Sequence, residues 1–151
     1  MRGDMSYVDS NLLPGEQVMF RTHLSLIIFA VPVALTVLAL VFYLIGPGVR
    51  LIGHVFLLGA LAVGAVKYLE YATSEFAVTN KRIIIKVGFL KRRTLEMQVQ
   101  KVETVAVSQG IGARILGYGD IVVTGTGGTR EPFRHVSAPL KLRHAVQAAS
   151  V

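Results

Sequence analysis

The stretch EFAVTNKRIIIKV, Glu75 to Val87, decides the fold, because the residues on its two sides follow different patterns. It is rich in β-branched residues and has Asn80-Lys81 at its centre, so it reads as a hairpin of two strands, Glu75 to Thr79 and Arg82 to Val87. Phe76 and Val78 share one face, as do Ile83, Ile85 and Val87 in the second strand. Before this hairpin the chain is long, apolar and helical in character. After it, the chain is short-period, basic and punctuated by turn residues.

On the N-terminal side, Leu24 to Ile45 is 22 residues without a charge. At 1.5 Å per residue a helix of that length reaches about 33 Å, enough for the roughly 30 Å hydrocarbon core of a bilayer. Pro32 lies inside it, and a membrane helix tolerates the kink it predicts because hydroxyls such as Thr36 take up freed carbonyls. A second span is predicted over Val49 to Leu69, with Lys67 snorkelling to the interface and Tyr68 and Tyr71 as aromatic anchors. The linker Gly46-Pro47-Gly48-Val49-Arg50 is so short that the two helices, 24–45 and 49–69, must run antiparallel, with both termini on one side. The linker holds one cation, Arg50, whereas Arg21, Lys67, Lys81 and Arg82 flank the spans. The positive-inside bias therefore predicts a multi-pass protein of the cytoplasmic (inner) membrane with both termini cytoplasmic. Residues 1–23 are expected to be an N-terminal cytoplasmic segment and not a cleaved leader, since Asp4, Asp9, Pro14 and Glu16 interrupt them. Ala60 and Gly64, four residues apart, are candidate helix-packing positions, suited to packing the hairpin on itself more than to forming an oligomer. His54, close after the linker, is expected to reach the headgroup region.

Composition follows the same division. The chain has 151 residues, is 52% hydrophobic and carries a formal charge of +7. Residues 1–71 are balanced, with four basic and four acidic groups, while residues 72–151 hold twelve basic and five acidic groups. With no cysteine, disulfides, thiolate metal sites and cysteine nucleophiles are excluded.

On the C-terminal side the pattern continues as strands over Lys91 to Val99, Glu103 to Ser108, Ile121 to Thr124 and Arg130 to Val136. In the first of these Leu95, Met97 and Val99 point inward. In the last, Phe133 and His135 are predicted on one side. A helix follows, with Ser137 as N-cap, Pro139 in its first turn and an apolar stripe of Ala138, Leu142, Ala145, Val146 and Ala149. The glycine segments Gly110-Ile111-Gly112 and Gly125 to Gly128 lack the remaining residues of nucleotide-binding motifs and read as turns. His23, His54, His135 and His144 have no metal-ligand spacing, and Ser108 has no nucleophile elbow. No enzyme, cofactor or metal is predicted.

Several of these residues together resemble a known family. Thr79-Asn80-Lys81-Arg82-Ile83, Gly88, Val102 with Val105, Gly110-Ile111-Gly112 through Leu116-Gly117-Tyr118-Gly119-Asp120, Gly125 to Gly128 and Phe133 give residues 73–147 the look of a bacterial pleckstrin-homology domain. Leu13-Pro14-Gly15-Glu16, His23 and Pro32 resemble what precedes the two-helix hairpin in membrane proteins of this kind. The resemblance implies a split, roughly orthogonal sandwich or barrel over 72–151, capped by the C-terminal helix, and no catalytic activity.

Binding is the function that remains. Lys86, Lys91, Arg92 and Arg93 surround Phe89 and Leu90 at one hairpin tip, a candidate contact for anionic lipid headgroups. The same residues read equally as a solvated strand face with Phe89 and Leu90 folded into the core. The turn at Lys81-Arg82 is too short for a deep phosphoinositide cradle. The alternative is an assembly subunit, with a membrane-protein partner or a second copy docking on the open sandwich edge or the glycine-rich 110–119 segment. Nucleic acid is not expected, since aromatic residues do not interleave with the basic ones.

Overall fold

A computed structural model describes residues 6–89 and 92–150 of the chain. In chain order a one-turn helix α1 (Tyr7–Ser10) and strand β1 (Val18–Thr22) precede two long helices, α2 (Ala30–Ile45) and α3 (Arg50–Thr73). Strands β2 (Glu75–Thr79), β3 (Arg82–Val87), β4 (Arg93–Gln98) and β5 (Val102–Ser108) follow, then a short helix α4 (Ile111–Ile115). Strands β6 (Tyr118–Gly125) and β7 (Arg130–Ser137) and helix α5 (Pro139–Ala149) complete the order. The chain divides into two units: Leu26–Ala72, and the remainder on both sides of it.

The first unit is a helical hairpin. A 3-10 turn over Leu26–Phe29 leads into α2, so Pro32 falls in the first turn of the α-helix, where a helix already leaves N–H groups unbonded. Thr36 Oγ1 donates to the carbonyl of Pro32 itself at 2.9 Å. Gly46, at φ 138°, turns the chain into Pro47–Val49 and then α3. The apolar helical stretches Leu26–Ile45 and Pro47–Thr73 are long and apolar enough to cross a membrane. The second passes the expected end at Leu69 by about a turn and carries Glu70, which pairs with Lys67 at 2.8 Å. Close approach is provided by small residues. A Cβ on Gly53 would lie 3.2 Å from the carbonyl oxygen of Ala39, and one on Gly64 would lie 3.6 Å from Pro32. Phe42 and Phe56 stack beside this seam with ring centroids 5.6 Å apart.

The second unit packs two antiparallel sheets, ordered β1-β2-β3-β4 and β5-β6-β7, with α5. The β2–β3 register brings Phe76 opposite Ile85 and Val78 opposite Ile83, so these four apolar side chains share a face. All four are fully buried, and Phe76 meets Phe133 of the other sheet edge-on, at 5.9 Å between ring centroids. Burying each such side chain contributes about 2–3 kcal/mol. Ile121, Val123, Val136, Leu142 and Val146 fill the remaining core. The opposite face of β2 and β3, with Ala77 and Ile84, is also buried, because Val8, Tyr7, Leu12 and Val18 cover it.

Several sequence expectations change here. The N-terminal segment also contributes a strand that the sequence reading did not place: β1 adds to the edge of β2. Among the described residues no sheet closes into a barrel: β4 and β5 are each paired on one side only, and Leu24, just past β1, bridges to Val136 of β7. Phe133 and His135 do not share a side. A bulge in β7 leaves His135 exposed at φ 56°, its N–H bonded to Asp120 Oδ1, while Val136 turns inward. Ser137 ends β7 and is not the N-cap; Ala138, left-handed at φ 47°, takes that place before Pro139. The segment after Gly110 is a short helix, α4, and not only a turn.

Candidate functional site

The basic tip between β3 and β4 is held from its base. Gly88, at φ 95°, makes the turn that a side chain would strain, and its N–H donates to Ser74 Oγ at 3.3 Å. Ser74 comes directly after Thr73, the last residue of α3. The other point where the chain leaves this unit is nearby in the fold. Thr22 pairs with Phe76, and Ser25 donates its N–H to the His135 carbonyl at 2.7 Å. The tip and both exits to the helical hairpin therefore occupy one end of the sheet unit.

The tip's cations have different surroundings. The Lys86 ammonium lies 4.6 Å from the centroid of the Tyr7 ring. Arg93 pairs with Glu131 and holds its guanidinium 5.7 Å from the Phe133 ring. Arg92 is exposed, and Phe89 is 47% exposed. Leu90 and Lys91 lie outside the described residues. The structure thus brings Lys86, Phe89, Arg92 and Arg93 to one hairpin but gives two of the three cations partners within the fold.

The opposite end is built on Glu16. Its buried carboxylate accepts from Thr79 Oγ1 at 2.6 Å, from Arg82 Nε at 3.0 Å and Nη2 at 3.1 Å, and from the Leu13 N–H at 2.7 Å. Burial opposes its ionisation, but the bonds from Arg82, Leu13 and Thr79 outweigh that and hold it down at about 2. Arg82 also reaches Glu96 at 2.6 Å and the Asn11 carbonyl at 2.5 Å. Asn80 Oδ1 accepts from the Gln17 N–H at 2.9 Å, and Lys81 Nζ donates to the Pro14 carbonyl at 2.9 Å. An open cleft of about 410 Å³ lies beside this turn, between Leu13, Arg82, Glu96 and Gln100. The Thr79-to-Arg82 turn is therefore a lock for the Leu13-to-Glu16 segment, and its two cations are engaged with that segment. Leu13 to Glu16 and Thr79 to Arg82 both stand out in the sequence, but 66 residues separate Glu16 from Arg82 and no local pattern joins them.

In the helical hairpin, Ala60 is buried and shares a shallow apolar groove with Gly64, Thr36 and Leu57. His54 Nδ1 lies 2.7 Å from the Arg50 carbonyl, and its ring meets Tyr43 edge-on.

Among the described residues, no group of three His, Asp or Glu side chains is placed to hold a metal ion. The arrangement is two sheets, a capping helix and hairpin tips, with the polar groups at Glu16, Asn80 and Arg82 engaged in holding segments together. No curated protein and no solved structure matches the chain. The profile of the bacterial PH domain matches residues 23–150, which takes in the helical hairpin and β2 through α5. The chain belongs to the bacterial PH-domain family.

Proposed function

We propose that the protein is anchored in the cytoplasmic membrane by α2 and α3, with both termini cytoplasmic, and holds its PH-like unit (72–151, completed by the N-terminal segment) as a binding module. Its basic tip, Lys86 to Arg93, meets anionic headgroups. The observation that carries this reading is the bond from Gly88 to Ser74, which ties the tip to the first residue after α3. Support also comes from the hairpin itself, whose apolar side chains such as Leu44 (87%) and Leu51 (78%) are mostly exposed, the condition of a lipid-facing helix and not of a soluble core. Each basic residue near an anionic leaflet contributes about 1 kcal/mol, so the tip orients a module that is already tethered.

The test is trypsin cleavage at Lys91-Arg92-Arg93 in the full chain reconstituted in nanodiscs. Cleavage is expected to be at least about fivefold slower in anionic than in zwitterionic lipid, the factor that about 1 kcal/mol gives, and salt should remove the difference. Equal rates in both lipids would reject headgroup contact. A second reading, an assembly subunit, draws on the one-sided pairing of β4 and β5 among the described residues, an edge suited to strand addition. A native mass above one protomer in mild detergent would favour it.

A further inference from the structure

The loop between β5 and β6 presents apolar side chains that the sheet unit does not use. Ile111 is 86% exposed, Ile115 80% and Leu116 62%, and Leu140 at the start of α5 is also exposed. Ile111 and Ile115 stand four residues apart on α4, hence on one face of that helix, with Arg114 beside them. Large apolar side chains gathered on a projecting loop mark a contact surface, since water gives no reason to keep them there.

The position of the loop indicates the partner. Gly117 accepts the Ala138 N–H at 2.9 Å, and Tyr118 and Gly119 pair with Ser137 and Val136. Ser137 in turn donates its N–H to the His23 carbonyl at 2.9 Å, and His135 accepts from Ser25. From the α4 loop to Ser25 the path is one β-ladder and two hydrogen bonds, and the next residue, Leu26, begins the first membrane-length helix. The loop is on the end of the unit from which the chain enters that helix.

We propose that α4 and its flanks form a membrane-seated wedge: Ile111, Ile115 and Leu116 enter the interface of the bilayer that holds α2 and α3, with Arg114 at headgroup level. An apolar row beside a cation is the composition of an interfacial segment. The proposal rests on the membrane reading above but not on the basic tip. It is a second contact, apolar where the tip is electrostatic, and two separated contacts fix the orientation of a unit that one would leave free to pivot.

Because the chain has no cysteine, single positions can be labelled without background. Spin labels on Ile111→Cys and Ile115→Cys, both exposed sites, are placed in the full chain in nanodiscs of equal parts zwitterionic and anionic lipid. Thr126→Cys, on the turn at the far end of β6, serves as the aqueous reference. Collisions with oxygen are expected to exceed those with a water-soluble nickel chelate at 111 and 115, with the reverse at 126. Nickel access at 111 and 115 equal to that at 126 would overturn the wedge. So would spin–spin broadening at 111 or 115, which would assign the loop to a second copy. A label on Phe89→Cys reports the tip separately: lipid contact at 115 with an aqueous 89 removes the tip reading alone, and the reverse removes the wedge alone.

Discussion

Glu16 remains ionised inside the protein because four donors, from Thr79, Leu13 and twice from Arg82, meet its two oxygens. Its folded-state pKa of about 2 lies below the ordinary 4.5, so folding favours the ionised form. The stability it contributes is complete above pH 4.5 and is lost as pH falls from there towards 2. Glu16→Gln removes the charge and leaves the Arg82 guanidinium with Glu96 alone among carboxylates, at an expected cost of about 2–3 kcal/mol. Thermal unfolding of the full chain in detergent measures both effects: the variant should melt lower at neutral pH and lose less than the parent between pH 4.5 and 2. Equal melting temperatures at neutral pH would show the pair to be without net effect. Glu16 and Arg82 were both visible in the sequence, but 66 residues and a helical hairpin separate them, and nothing local says that the two meet.

At the scale of elements, the helical hairpin makes a sharp distinction between glycines. Gly53 faces the Ala39 backbone and the Tyr43 ring, while Gly59 has open space around it. Gly53→Leu is expected to push the helices apart and lower the melting temperature in detergent, and Gly59→Leu to leave it within a degree or so of the parent, a surface-type change of under about 0.5 kcal/mol. Equal losses would place the seam elsewhere. The hairpin was legible because apolar length and a short Gly-Pro-Gly linker are local properties. Strands β2 and β3 were legible for the same reason. β1 was not, since Val18 to Thr22 is five residues with Arg21 among them and gains its pairing only from β2. A signal did exist: Ile83-Ile84-Ile85 is apolar without alternation, which requires both faces of β3 to be covered. The His135 bulge had none, because its left-handed backbone is set by Asp120 across the ladder and not by its own neighbours.

In the whole molecule, the sheet unit is assembled from both sides of the helical hairpin, so it should fold without the hairpin but not without its N-terminal part. Thr22 and Phe76 are paired, which leaves residues 25 and 73 three positions beyond a ladder rung. A flexible linker of about ten residues, with a root-mean-square reach of about 18 Å, is expected to join them in place of Leu26–Ala72. That fusion should give a soluble, cooperatively folding protein by circular dichroism and dispersed amide resonances, whereas residues 73–151 alone should aggregate, with Ala77 and Ile84 uncovered and the β2 edge open. A well-folded 73–151 would refute this. Of the candidate site, the sequence displayed the cations of the tip but not their partners, because Tyr7 and Glu131 reach Lys86 and Arg93 only through the assembled sheets. The 110–119 segment stood out as a docking candidate, but the helix in it, α4, was hidden by its glycines, which read as turns. The placement of β1 bears finally on biogenesis. Under the proposed topology, β1 is synthesised before the two long helices and its partner β2 after them, so the ladder can close only when both β-segments end on the same side of the membrane. A chain with a single helix inserted would strand the two β-segments in different compartments, leaving raw edges for proteolysis. Under that topology, closure of the β1–β2 ladder would report that the two helices had been threaded alike.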